Sequence, residues 1–200
     1  MIELAMHILD IVENSIRARA RRVDICVIED TQKDLLKIII EDDGDGMDDE
    51  KRHRVFDPFF TTKTVRSVGL GIPLFDHAAR LTGGRVDIEP RPEGGTRVTA
   101  VFTHSHIDRQ PLGNMADTIT TLITGNPEVD FIYRHHYNGR AFELDTRLLR
   151  KELEDVPLQL PAVINFIRTY VNENIRDIST SADLSNNRNW ADKEEHFDGS

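Results

Sequence analysis

The spacing of apolar positions changes period several times along the chain, and each change marks an element. Across residues 2–18, Leu4, Ile8, Ile11, Val12 and Ile16 recur every three or four positions, which predicts an amphipathic helix. Two short β-branched runs follow, Val23–Glu29 and Leu35–Ile40, with the polar turn 30–34 between them; both predict buried strands. Residues 48–54 are charged throughout and predict a short exposed helix. A helical period returns after Val68 and runs to about Leu81, where Gly83-Gly84 suits a left-handed C-cap. Strands are predicted at 85–89 and 96–103, joined by the turn 90–95. Further on come a helix at 112–124, a hairpin with strands at 129–136 and 140–145 around Tyr137-Asn138-Gly139, and helices at 146–154 and 161–174.

Through residue 104 the order is helix, strand, strand, loop, helix, strand, strand. Paired strands between helices predict an α+β fold, with a mainly antiparallel sheet and helices on one face. Residues 105–175 form a small α+β region, short for a free-standing core, so packing against the first unit or a partner is expected. Residues 176–200 are rich in Asp, Asn, Ser and charge, and are expected to be disordered.

Composition narrows the function classes. Hydrophobic content of 38% and charged content of 30% suit a soluble globular protein. Lys and Arg total 25 against 35 Asp and Glu, a net charge of -10 without a basic face, which argues against nucleic acid as the main partner. The single cysteine, Cys26, has no internal disulfide partner, which fits a reducing cytoplasm. No stretch is long and apolar enough to span a membrane.

Candidate chemistry gathers at three places. The predicted first helix carries a second stripe opposite its apolar one, His7, Asp10, Asn14 and Arg17. That stripe is either a solvated polar face or a holder of metal and phosphate. The strand at 35–40 runs into Glu41-Asp42-Asp43-Gly44-Asp45-Gly46-Met47, a D-x-G-x-G turn in which glycine lets backbone approach a ligand and a carboxylate can accept from an exocyclic amine. Such acidic glycine turns also occur as plain loops. Finally, Gly69-Leu70-Gly71 leads into a helix N-terminus, where free N–H groups favour phosphate.

Taken together, these segments resemble the nucleotide-binding domain shared by gyrase, heat-shock chaperone, histidine kinase and MutL-type ATPases. Asn14 in DIVENSIRA is similar to the N-box asparagine that coordinates magnesium. Asp42 with Gly44, Gly46 and Met47 resembles the first glycine box, FDPFFTTK at 56–63 the phenylalanine box of histidine kinases, and Gly69-Leu70-Gly71-Ile72 the second glycine box. Gly95-Thr96 matches the late Gly-Thr pair. The resemblance covers about residues 1–104 and implies a Bergerat-type α/β sandwich binding ATP with Mg2+. It implies Asp42 as the adenine reader, with Asn14, Arg17, Lys63, Gly69, Leu70, Gly71 and Thr96 around the nucleotide. Arg66 and Ser67 fall in the loop expected to close over it.

The chemistry after binding stays open at this level. Hydrolytic members carry a glutamate base four residues before the asparagine, where this chain has Asp10. DIVENSIRARA resembles MutL proteins, whereas DPFFTTK resembles histidine kinases. The readings are a protein kinase acting in trans, an ATP-hydrolysing switch with Asp10 as base, and a non-catalytic nucleotide sensor. His106 in His106-Ile107-Asp108-Arg109-Gln110-Pro111 matches H-x-x-R-x-P of some phosphoacceptor boxes. It lacks the adjoining acid and follows a strand, so the match is read as coincidence. His135 and His136, adjacent on a strand, point to opposite faces and read as solvated or hairpin histidines rather than metal ligands.

Overall fold

The computed structural model describes residues 3–48, 55–56, 71–154 and 156–194, with side chains described through residue 180. The expected helix at 48–54 and most of the phenylalanine box lie outside the described residues. The elements are α1 (Leu4–Arg17), β1 (Arg22–Asp30), β2 (Leu35–Asp42), α2 (Gly71–Leu81), β3 (Arg85–Pro90), β4 (Thr96–Thr103), α3 (Met115–Gly125), β5 (Asp130–Tyr137), β6 (Arg140–Asp145), α4 (Thr146–Leu153) and α5 (Pro161–Glu194). The fold is α+β, as expected.

The strands form one six-stranded sheet in the order β3-β4-β2-β1-β5-β6. All neighbours are antiparallel except β1 and β5, which run parallel with Ile25 opposite Tyr133. Alternation on the strands sets the faces. Val23, Ile25 and Val27 of β1, Leu36, Ile38 and Ile40 of β2, and Val98, Ala100 and Phe102 of β4 are all buried. Helices cover that face: α2 sets Phe75 against Phe102, and α5 sets Tyr170 against Phe142 of β6. The opposite face is charged and laced with cross-strand pairs, among them Arg97 with Glu41 and Arg134 with both Asp24 and Glu143. A depression of about 400 Å3 lies on this side, floored by Cys26 and Ile39. Burial pushes the Cys26 thiol above its ordinary pKa, which disfavours the thiolate.

The sheet crosses residue 104, because β5 pairs with β1 from Arg22 to Glu29. One apolar cluster joins the core residues on both sides of that point. Met115–Gly125 packs under α5, and the carbonyls of Pro111 and Leu112 accept the N–H groups of Leu4 and Ala5 at 2.9 and 2.8 Å, capping the start of α1. The hairpin at Asn138-Gly139 forms as the sequence predicts, with φ of 47° and 83°. Its Asn138 side chain also accepts from Thr31 N at 2.8 Å, locking this turn to the β1–β2 turn. Backbone helix in α5 continues through Glu194, taking in residues whose composition reads as disordered.

His135 departs from expectation. It is fully buried rather than solvated, because β5 is an interior strand. Its ring bridges the Tyr133 hydroxyl at 2.7 Å and Glu29 at 2.9 Å, and Glu29 also meets His104 Nε2 at 2.9 Å. Burial pushes Glu29 up, but the bonds to His135 and His104 outweigh it and hold the carboxyl below its usual range.

Candidate functional site

The glycine turn after β2 is fixed from below. Asp43 Oδ1 accepts from the backbone N–H groups of Arg21 and Arg22 at 2.7 and 2.8 Å, and Asp45 N–H donates to the Ala18 carbonyl at 2.8 Å. The turn is thereby tied to the link between α1 and β1. Asp42, the last residue of β2, points to the helix side and is 5% exposed. Its Oδ2 accepts from the Ser15 hydroxyl at 2.7 Å, while Oδ1 accepts from Gly44 N–H at 2.9 Å and Thr96 N–H at 3.3 Å. A carboxylate has about four lone-pair sites, and these three bonds leave one on Oδ2 for an outside donor.

Gly95 explains why Thr96 can come so close. A Cβ there would fall 1.9 Å from the Asp42 carbonyl oxygen, and the residue has φ of +88°. Only glycine suits both demands. Gly46 lies against Gly95 across the turn, and Met47, half-buried, packs on the core. Arg91, from the β3–β4 turn, donates Nη1 to the same Asp42 carbonyl at 2.9 Å.

Helix α1 contributes the second wall. Asn14 is partly buried, and its Oδ1 accepts from Arg17 Nη1 at 2.6 Å. Asp10, one turn earlier and exposed, abuts Gly71, where a Cβ would come within 3.1 Å of the Asp10 Cβ. The α1–α2 contact is fixed further by His7, buried and stacked on Phe75 with ring centroids 5.3 Å apart, whose Nε2 meets Gln110 Oε1 at 3.0 Å. Burial lowers the His7 pKa against the opposing effects of Gln110 and Asp10. Asp42, Gly44, Gly46 and Thr96 thus meet at one end of the sheet, with Asp10, Asn14, Arg17 and Gly71 along α1 and the start of α2. Lys63, Gly69 and Leu70 lie outside the described residues.

His106 belongs elsewhere. It follows β4, whose other end carries Thr96, so about 24 Å of strand separates the two. Its Nδ1 accepts from Asp108 N–H at 3.2 Å within the turn that follows the strand.

The family described as Histidine kinase-, DNA gyrase B-, and HSP90-like ATPase matches residues 2–106. The chain belongs to this family. Relatives include the sensor protein kinase PilS of Pseudomonas aeruginosa, 31% identical over 100 residues, which make up 48% of this chain and 19% of PilS. The sensor histidine kinase CpxA of Escherichia coli K12 is 32% identical over 94 residues, 44% of this chain and 20% of CpxA. The chain therefore spans about a fifth of the length of these curated relatives. A solved N-terminal domain of a DNA repair protein is 17% identical with a TM-score of 0.50, covering 72% of this chain and 53% of that one, and shows the fold alone.

The chain is thus an ATP-binding module of the histidine-kinase-like class, and its buried Asp42 keeps one acceptor position open. Magnesium fits the donor set too, since it prefers hard oxygen ligands with waters and phosphate oxygens completing its shell. The Asn14 amide oxygen is of that type, with Asp10 one turn away. No described helix is long and apolar enough to cross a membrane.

Two residues at the site escape the sequence reading. Ser15 had a signal, because it continues the buried stripe of Ile8, Ile11 and Val12, and a hydroxyl on such a stripe needs a partner. Arg91 had none: one arginine in a polar turn looks like any other.

Proposed function

We propose that this chain is a regulatory protein that binds Mg-ATP and transfers the γ-phosphoryl group to a protein target in trans. The observation that carries the nucleotide part is Asp42, buried, triply hydrogen bonded and left with one acceptor position. In the transfer, the bond from the γ-phosphorus to the β–γ bridging oxygen breaks and ADP leaves. A new bond forms to the target side chain, whose proton passes to water. Asn14 would hold the metal, which screens phosphate charge, and Arg17 would pair with a phosphate. Support for a kinase comes from the relatives, which are named as sensor kinases. Support for a separate target comes from His106, which sits at the wrong end of the sheet. The reading takes the chain to act in the cytoplasm, where ATP is held.

The position of Asp10 favours a second reading, ATP hydrolysis as a conformational switch. Its exposed carboxylate, beside Asn14 on the helix and against Gly71, is a candidate base for water. Incubation with γ-labelled ATP and Mg2+, following free phosphate and label on an added protein extract, separates the two. Label reaching a protein with Asp10→Asn as well as with the parent, and lost with Asp42→Asn, supports the kinase. Phosphate release that Asp10→Asn abolishes supports the switch. Binding without either result rejects both in favour of a nucleotide sensor.

A further inference from the structure

One turn of α1 carries a three-way contact that nucleotide binding would have to break. Arg17 donates Nη1 to Asn14 Oδ1 at 2.6 Å and Nη2 to Glu13 Oε2 at 2.8 Å. The guanidinium therefore spans a neutral acceptor and a charged one. Glu13 and Arg17 are each about half exposed, at 48% and 49%, so the pair is reachable from solvent and easily exchanged.

The amide oxygen that Arg17 occupies is the one a magnesium ion would need. Mg2+ demands oxygen at about 2.0–2.1 Å in strict octahedral geometry. A guanidinium on the same oxygen brings a second cation to one atom, and the two repel. Metal ligation by Asn14 is therefore weakened for as long as Arg17 stays. A polyphosphate gives it a destination, because guanidinium pairs with phosphate through two parallel bonds. Glu13 opposes that departure.

We infer that Glu13 is a positioning residue that holds Arg17 on Asn14 while no nucleotide is bound, so that metal ligation by Asn14 waits for a polyphosphate to draw Arg17 away. The inference rests on the nucleotide reading of the site. Glu13 itself touches neither metal nor nucleotide and works only through Arg17. Its effect is confined to ligands that carry phosphate: adenosine, which brings the base alone, makes no demand on Arg17. Free Mg2+ without nucleotide meets an occupied amide oxygen.

The test uses the full chain with Glu13→Asp, which keeps the charge but shortens the reach, and Glu13→Gln, which keeps the length but not the charge. Calorimetry should show both variants binding Mg-ATP about two- to fivefold more tightly than the parent, the range of an exposed ion pair. Adenosine affinity should stay unchanged. In the nucleotide-free variants, the Asn14 side-chain amide resonance should move as Arg17 is released. Tightening by Glu13→Gln but not by Glu13→Asp would mean plain repulsion between carboxylate and phosphate, and overturns the latch. So would an Asn14 resonance that stays in place. If the parent does not bind ATP, or binds it no better than Asp42→Asn does, the nucleotide reading fails and the latch with it; a sound parent with unchanged Glu13 variants sinks the latch alone.

Discussion

Asp42→Asn changes one atom of the site and leaves its shape. The asparagine orientation is set by its neighbours. Its carbonyl oxygen must face the N–H groups of Gly44 and Thr96, so its amide nitrogen takes the place of Oδ2. Ser15 then becomes an acceptor, and its hydroxyl hydrogen can turn to the Ile11 carbonyl 3.4 Å away. No buried donor is stranded, so the folding cost is about 1 kcal/mol, worth roughly 2–4 °C in melting temperature for a chain of this size. Binding changes far more. The open position on Oδ2, an acceptor in the parent, becomes a donor facing the amino group of adenine. Loss of a hydrogen bond to a charged acceptor removes about 1.5–3 kcal/mol, a tenfold to hundredfold weaker Kd for ATP. Inosine triphosphate, with a carbonyl where adenine has its amine, should gain relative to ATP. Calorimetry with both nucleotides, beside a melting curve, reads the two effects separately. ATP binding within twofold of the parent, or equal weakening of both nucleotides, would falsify the role given to Asp42.

Gly95→Ala should cost more in folding than Asp42→Asn, because its Cβ would lie 1.9 Å from the Asp42 carbonyl at a positive φ. We expect a loss of about 1–3 kcal/mol or more in urea unfolding; a neutral result would mean the turn has room to open. His7 gives a pH dependence whose sign is fixed by its lowered pKa. The unfolded chain takes up this proton first, so the contribution is complete above the ordinary histidine pKa of 6.5 and is lost as pH falls below it. Urea midpoints between pH 5 and 7.5 should slope more steeply for the parent than for His7→Gln, and parallel profiles would refute the assignment. Glu29, whose pKa is lowered, keeps its contribution above its ordinary value of 4.5 and loses it only as pH falls through the folded-state value. Glu29→Gln should therefore flatten the acid limb of the stability profile below pH 5 and leave the neutral region parallel to the parent.

Much of the fold around the candidate site was legible in sequence because its signals are local. The apolar stripe of α1 runs from Leu4 to Ile16, β2 ends where Asp42 begins the glycine turn, and Asn138-Gly139 makes its hairpin as short-range rules require. What escaped depends on partners far along the chain. His135 reads as a surface residue until β5 is seen to pair with β1, more than a hundred residues earlier. Periodicity describes which face a strand buries and says nothing of which strand lies beside it. Ser15 was hidden in a similar way, its partner Asp42 being 27 positions away. In α5, the predicted stretch 161–174 buries Val163, Ile167 and Val171 in one stripe against the body, as its period requires.

The parallel pairing of β1 with β5 makes the family-matched half a poor fragment. A chain cut after residue 106 would bare one side of β1 along its length, leaving a row of unpaired N–H and C=O groups beside Val23, Ile25 and Val27. Open edges of that kind recruit strands from other molecules. The first turn of α1 would lose the carbonyls of Pro111 and Leu112 at the same stroke. Such a fragment is expected to come out as aggregate when produced alone, and the shortest soluble version of the nucleotide module is one that keeps β5 and β6.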